Sequence, residues 1–175
     1  GVELNFGCPH GMSERGMGAA VGQVPEYIAM VARWCKQHSK LPVIVKLTPN
    51  ITDIRFPARA ARKGGADAVS LINTISSIVS IDLDHFAPPI ALNMVAEIAR
   101  DPETAGMPMS GIGGITTWRD AAEFIALGCG TVQVCTAAMT YGFKVVKEMS
   151  SGLSDWMDEK GYASIEDFRG RAAPN

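Results

Sequence analysis

Apolar positions along the chain follow two alternating rhythms. Short, nearly continuous apolar runs occur at residues 2–6, 42–47, 68–73, 108–110 and 131–134. Between them lie longer stretches in which apolar residues recur every three or four positions. In 25–38, Pro25 suits a first helical turn, and Tyr27, Ile28, Val31, Trp34 and Cys35 fall at helical spacing. Asp53 can cap a helix over 54–63 that Gly64-Gly65 ends. Ile90, Met94, Val95 and Ile98 mark a helix over 90–100. Thr117 can cap another over 118–127, closed by Gly128. The remainder predicts helices at 143–150, 153–160 and 165–169, a helical C-terminal extension to a single domain spanning 1–175.

Strands alternating with helices, with no hairpin signal, predict a parallel sheet with right-handed crossovers. The run Val43-Ile44-Val45 reads as a strand buried on both faces. Two architectures fit: a doubly wound open sheet, or part of a (β/α)8 barrel. A whole barrel needs eight strands and about 250 residues. The barrel reading therefore places further units outside these 175 residues, and a strand opening the chain is what it expects.

Composition narrows the function classes. Hydrophobic residues make up 47% of the chain, and its formal charge is −2. This is a globular composition, without the basic surplus of a nucleic-acid binder. No apolar run has transmembrane length, and no secretory signal is legible. Cys8, Cys35, Cys129 and Cys135 match no zinc or iron–sulfur spacing and are too sparse for a disulfide scaffold. No metal site and a reducing, cytoplasmic setting are the expectations.

In parallel α/β folds, ligands bind at the carboxyl ends of strands. The runs here end in Asn5, Cys8 and His10; Lys46, Thr48 and Asn50; Asn73 and Thr74; Gly111, Gly113 and Gly114; Cys135 and Thr136. Lys46 interrupts an apolar run. It either reaches solvent along its own stem or points into a barrel mouth to meet an anionic or electron-rich ring, and the polar ends around it favour the second. Gly111-Ile112-Gly113-Gly114-Ile115 resembles a phosphate cradle. It is not a dinucleotide fingerprint, because Thr116 stands where a glycine would be required. Cys129, Cys135 and Cys35 read as small packed hydrophobes. Cys8, between Gly7 and Pro9, reads as a proton donor or nucleophile. His10 is equally a base or a loop strut, and the Gly-rich stretch 11–22 is a mobile lid or a plain long connection.

In order, Asn5-Phe6-Gly7-Cys8-Pro9-His10-Gly11-Met12, Lys46-Leu47-Thr48-Pro49-Asn50, Asn73-Thr74 and Gly113-Gly114-Ile115 resemble the flavin barrels of the dihydroorotate dehydrogenase-like family. Within it the chain resembles the catalytic subunits of bacterial NAD-dependent dihydropyrimidine dehydrogenases. The resemblance spans essentially the whole chain. It implies about five C-terminal β–α units of a (β/α)8 TIM barrel that binds FMN and reduces uracil or thymine to 5,6-dihydropyrimidines. It assigns Cys8 the proton at C5, Asn5 and Asn73 the pyrimidine edge, and Thr74 a weaker place beside them. Lys46 falls to the flavin ring, and Gly113, Gly114, Cys135 and Thr136 to the phosphate.

The chain departs from the family at residues 82–89, where a longer Gly-rich loop is expected, and at Gly7, where relatives can carry Ser. The family's iron–sulfur clusters and NAD would lie outside this chain, with a nicotinamide-binding electron-transfer subunit as partner and an oligomer as the assembly. Dihydroorotate dehydrogenase, or a non-catalytic phosphate-ligand-binding α/β fragment, are the rival readings.

Overall fold

The structure, a computed structural model, describes residues 1–9, 15–76 and 87–173. Five parallel strands, β1 (Val2–Asn5), β2 (Val43–Lys46), β3 (Ala68–Leu71), β4 (Met109–Ile112) and β5 (Thr131–Gln133), form one sheet in the order β1-β2-β3-β4-β5. That order settles the architecture. A doubly wound sheet reverses direction at a switch point, whereas a barrel adds each strand on the same side of the last. The fold is an arc of five units of a (β/α)8 barrel.

The helices are α1 (Ala19–Gly22), α2 (Pro25–His38), α3 (Arg55–Lys63), α4 (Ala87–Arg100), α5 (Trp118–Ala126), α6 (Thr136–Tyr141) and α7 (Lys144–Lys160). Consecutive helices from α2 to α5 pack side by side along the arc. Their apolar stripes cover the outer face of the sheet, where Val43, Val45, Val69 and Leu71 are fully buried. Ile28 and Ala32 of α2, Ala58 and Ala61 of α3, Val95 of α4 and Phe124 of α5 complete this layer, all fully buried. Burying a side chain of Phe124's size is worth roughly 2–3 kcal/mol.

The inner face is different. The register sets Glu3 beside Ile44, Asn5 beside Lys46, Lys46 beside Ser70, Ser70 beside Ser110 and Ser110 beside Thr131. β2 is therefore not buried on both faces as its composition predicts: Val43 and Val45 are enclosed, while Ile44 and Lys46 are half-buried toward the lumen. Side chains alternate across a strand, so one apolar run serves two environments.

Ion pairs tie the helices to the sheet ends. Arg59 grips the buried Asp101 through two 2.8 Å hydrogen bonds and reaches Glu103 at 2.8 Å, joining α3 to the 3₁₀ turn Pro102–Thr104 that follows α4. The Arg59 guanidinium holds the Asp101 carboxyl below the usual aspartate range. Asp67 accepts from the Lys36 ammonium at 2.8 Å and from the Val43 N–H at 2.7 Å.

Several elements depart from the sequence expectation. The stretch 11–22 contains a helical turn, α1, among its described residues. Tyr27 and Trp34 are exposed, and α2 buries Ile28, Ala29 and Ala32 instead. The helices expected at 143–150 and 153–160 are one helix, α7. Gly152 does not break it; a Cβ there would overlap the Trp118 indole, so glycine lets α7 lie close on α5. Trp156 carries a second cluster, 5.1 Å from the Phe168 ring and 6.0 Å from Trp118. Among the described residues no helix is long and apolar enough to cross a membrane, and no group of His, Cys, Asp and Glu could hold a metal ion.

Candidate active site

Leaving β1, the chain turns sharply because Asn5 folds its own side chain beneath it. Asn5 Oδ1 accepts from the Gly7 N–H at 3.1 Å and the Cys8 N–H at 3.2 Å. It also accepts from Asn73 Nδ2 at 2.9 Å, which draws the ends of β1 and β3 together. Asn73 Oδ1 in turn accepts from the Thr74 N–H at 2.7 Å. Gly7 makes this closeness possible, since a Cβ there would overlap Asn73. Among the described residues, Asn5 Nδ2 makes no hydrogen bond, so the amide end left to a ligand is the donor.

Cys8 is half-buried. Its carbonyl accepts from the Ala19 N–H at 3.1 Å, anchoring the loop to α1. Gly18 must come close there, because a Cβ at that position would overlap the same carbonyl. Asn50 clamps the neighbouring strand ends: its Nδ2 donates to the Thr74 carbonyl at 2.9 Å, and its Oδ1 accepts from the Ser76 N–H at 2.7 Å.

Lys46 points into the lumen with 18% of its side chain exposed. Its ammonium lies 3.6 Å from Glu3 Oε1. The sequence reading passed over Glu3, Ser70, Ser110 and Gln133, yet these residues build the lumen floor. Ser70 Oγ donates to Glu3 Oε2 at 2.8 Å, and Gln133 Nε2 donates to the same oxygen at 3.0 Å from the far side of the arc. Gln133 Nε2 also reaches Ser110 Oγ at 3.2 Å, which Thr131 Oγ1 contacts at 2.9 Å. The available signal was alternation: Glu3, Ser70 and Gln133 are polar residues at inward positions of otherwise apolar strands.

The glycine run resolves into two functions. Gly111 and Ile112 belong to β4 and not to a cradle. Gly111 is needed because a Cβ would overlap the Phe124 ring of α5. Gly113 (φ 129°) and Gly114 (φ 73°) form the turn beyond β4, at backbone angles that side chains disfavour. Among the described residues, no hydrogen bond is made by the backbone N–H of Gly113, Gly114, Cys135 or Thr136. Parallel pairing of β4 with β5 brings these two strand ends side by side. Cys135 is exposed at the start of α6, which corrects its reading as a packed hydrophobe. Cys129 fits that reading: it is buried, and burial pushes its thiol up to about 12. His10, residues 11–14 of the Gly-rich stretch and most of 82–89 lie outside the described residues.

The turn beyond β4 is held by Asp120. Its Oδ2 accepts from the N–H groups of Thr116 and Thr117 at 3.0 and 2.7 Å, and from both threonine hydroxyls. Burial pushes this carboxyl up, but those donors together outweigh it and leave it below the usual range. A lowered folded value means the stabilisation is complete above the ordinary aspartate value. It is lost as pH falls through the folded one. Asp120→Ala is expected to cost about 1 kcal/mol at neutral pH. The gap to the parent should narrow in acid, as read by urea titration at both pH values. An equal gap at both would refute the assignment.

The residues match the dihydroorotate dehydrogenase family over 1–157. The chain is 41% identical to the NAD-dependent dihydropyrimidine dehydrogenase subunit PreA of Escherichia coli K12, over 99% of this chain and 47% of that protein. It is 42% identical to the chloroplastic dihydropyrimidine dehydrogenase (NADP(+)) of Arabidopsis thaliana, covering 98% and 45%. It is 41% identical to the catalytic subunit of dihydroorotate dehydrogenase B (NAD(+)) of Pyrococcus horikoshii, covering 97% and 59%. The chain thus spans about half the length of the curated relatives it matches. The fold superposes on a crystal structure of DHODH in complex with ferulenol from Eimeria tenella with a TM-score of 0.82 at 17% identity, covering 99% of this chain and 54% of that one. A barrel arc with polar strand ends, matched by a family over most of its length and by relatives at 41% identity, has one assignment: the chain belongs to the dihydroorotate dehydrogenase family.

Proposed function

We propose that this chain is part of an FMN-dependent oxidoreductase that reduces uracil or thymine to the 5,6-dihydropyrimidine. The observation that carries the reading is the Asn5–Asn73 amide pair, locked at 2.9 Å beside the half-buried Cys8. The residues present fit the cofactor. The N–H groups of Gly113, Gly114, Cys135 and Thr136, uncommitted among the described residues, are the donor set a phosphate requires. Lys46 supplies a cation in the lumen, where an electron-rich ring would be held.

When bound, FMN supplies the hydride that reaches C6 of the pyrimidine. The protein does the rest. Asn5 Nδ2 and the Asn73 amide, with Thr74 beside them, orient the ring edge and its carbonyl oxygens. Cys8 Sγ gives its proton to C5, so the C5=C6 double bond becomes a single bond as hydride and proton add across it. The thiolate left behind is reprotonated from water, which a half-buried side chain can reach. Cys8 must enter as a thiol, so a strongly acidic cysteine would not serve. A nicotinamide-binding electron-transfer subunit is the proposed partner, with iron–sulfur clusters and NAD held in segments or subunits beyond this chain.

Oxidation of dihydroorotate is the second reading, because a dihydroorotate dehydrogenase B subunit is as similar to this chain as the pyrimidine reductases are. The two run the flavin in opposite directions. In the longer protein carrying this chain, uracil is expected to restore the oxidised flavin absorption after anaerobic reduction. Dihydroorotate is expected to leave the oxidised band unbleached. Bleaching by dihydroorotate with no response to uracil would replace the proposal by the second reading. Failure to retain FMN at all would favour a non-catalytic module.

A further inference from the structure

Glu3 and Lys46 form the only ion pair among the described residues that faces the lumen. The carboxylate is not loosely placed. Oε2 is held by Ser70 Oγ of the middle strand at 2.8 Å and by Gln133 Nε2 of the far edge strand at 3.0 Å. Ser70 is fully buried, so its hydroxyl is a fixed post. Oε1 is thereby directed to the Lys46 ammonium at 3.6 Å. The floor has two consequences. It links β1 to β3 and β5, which do not pair with β1 in this sheet. It also sets a negative charge beneath the one cation that the proposed function assigns to the flavin ring.

We propose that Glu3 is the positioning residue for Lys46: it draws the ammonium toward the lumen floor and so sets how closely that cation can approach a flavin ring, which limits how strongly the site favours reduced flavin. The flavin part rests on the function proposed above; the holding of Lys46 does not. A lysine stem is long and flexible, and a point charge on such a stem needs a partner to have a fixed position. A carboxylate anchored by two neutral donors supplies one. The 3.6 Å separation is longer than a close charge-assisted hydrogen bond, so the ammonium is steered while donors remain for a ligand.

Glu3→Gln tests this, because it keeps the shape and an oxygen for Ser70 and Gln133 while removing the charge. The first readout needs no flavin. The rate at which Lys46 is reductively methylated in the apoprotein, followed by mass spectrometry, should rise severalfold in Glu3→Gln and by less in Ser70→Ala. The second is the midpoint potential of bound FMN. Glu3→Gln should raise the ratio of affinities for reduced over oxidised flavin by about tenfold, or about 30 mV for a two-electron couple. Most of that shift should vanish in a Lys46→Gln background. A purely structural role would move neither quantity in this pattern.

An unchanged methylation rate in both variants overturns the proposal. So does an equal potential shift with and without Lys46, since Glu3 would then act by its own charge. If Lys46 is released but no FMN binds, the holding of Lys46 stands and the flavin reading falls.

Discussion

Cys8→Ala is expected to lower uracil reduction by about a hundredfold or more while FMN stays bound, a loss typical of removing a positioned general acid. The argument is positional. Asn5 Oδ1 accepts from the Cys8 N–H and the Cys8 carbonyl accepts from the Ala19 N–H, so both backbone ends of this residue are pinned and the direction of its Cα–Cβ bond is set. The backbone contacts survive the substitution, so the amide pair and the lysine remain in place. The defect should therefore appear in kcat with KM for uracil little changed. Steady-state kinetics, with FMN content measured from the visible spectrum, separates the outcomes. Full turnover in Cys8→Ala would sink the acid role. Loss of FMN would show that Cys8 holds the loop and not the proton. Cys8→Ser should be slow as well, because a hydroxyl is a far weaker acid than a thiol.

Gly22→Ala should destabilise the protein by about 3 kcal/mol, at the upper end of the cost of overfilling a packed site. An added Cβ would overlap the Phe6 carbonyl and lie 3.2 Å from Thr48 Cγ2. The main obstacle is backbone, at the end of β1, so no rotamer change relieves it. Relief would require α1 to move off the strand end that carries Cys8. Gly16→Ala is the control: nothing lies within 4 Å of its Cβ, and only its φ of 67° opposes the change. That cost is about 1 kcal/mol. Urea titration of both variants gives the comparison. Equal costs would mean that the α1–β1 contact is softer than its geometry indicates.

Much of the arc was legible because its outer layer follows simple periodicities. Val43 and Val45 alternate with Ile44 and Lys46, and Ile28 and Ala32 repeat at helical spacing, so the elements announce themselves. Helix joints were less legible. The sequence pattern separates 143–150 from 153–160, and only contact with Trp118 shows why Gly152 sits inside one continuous helix. The strand-end residues could be named from the sequence because parallel α/β folds present ligands there. What each of them does with its hydrogen bonds could not. Asn5 reads as a ligand to substrate, yet its oxygen builds the loop and only its nitrogen is left over.

The sequence by itself determined the alternation of strand and helix and placed Asn5, Lys46, Asn73 and the Gly113-Gly114 turn at the carboxyl ends of strands. These depend on neighbours within a few positions, where periodicity and backbone preference act. Only the tertiary structure decided that the strands lie in an unbroken order, as in a barrel, and that Glu3 meets Gln133 across the lumen. The reason is distance along the chain: those two side chains stand 130 residues apart. No local preference records a contact that exists only once the sheet has curved.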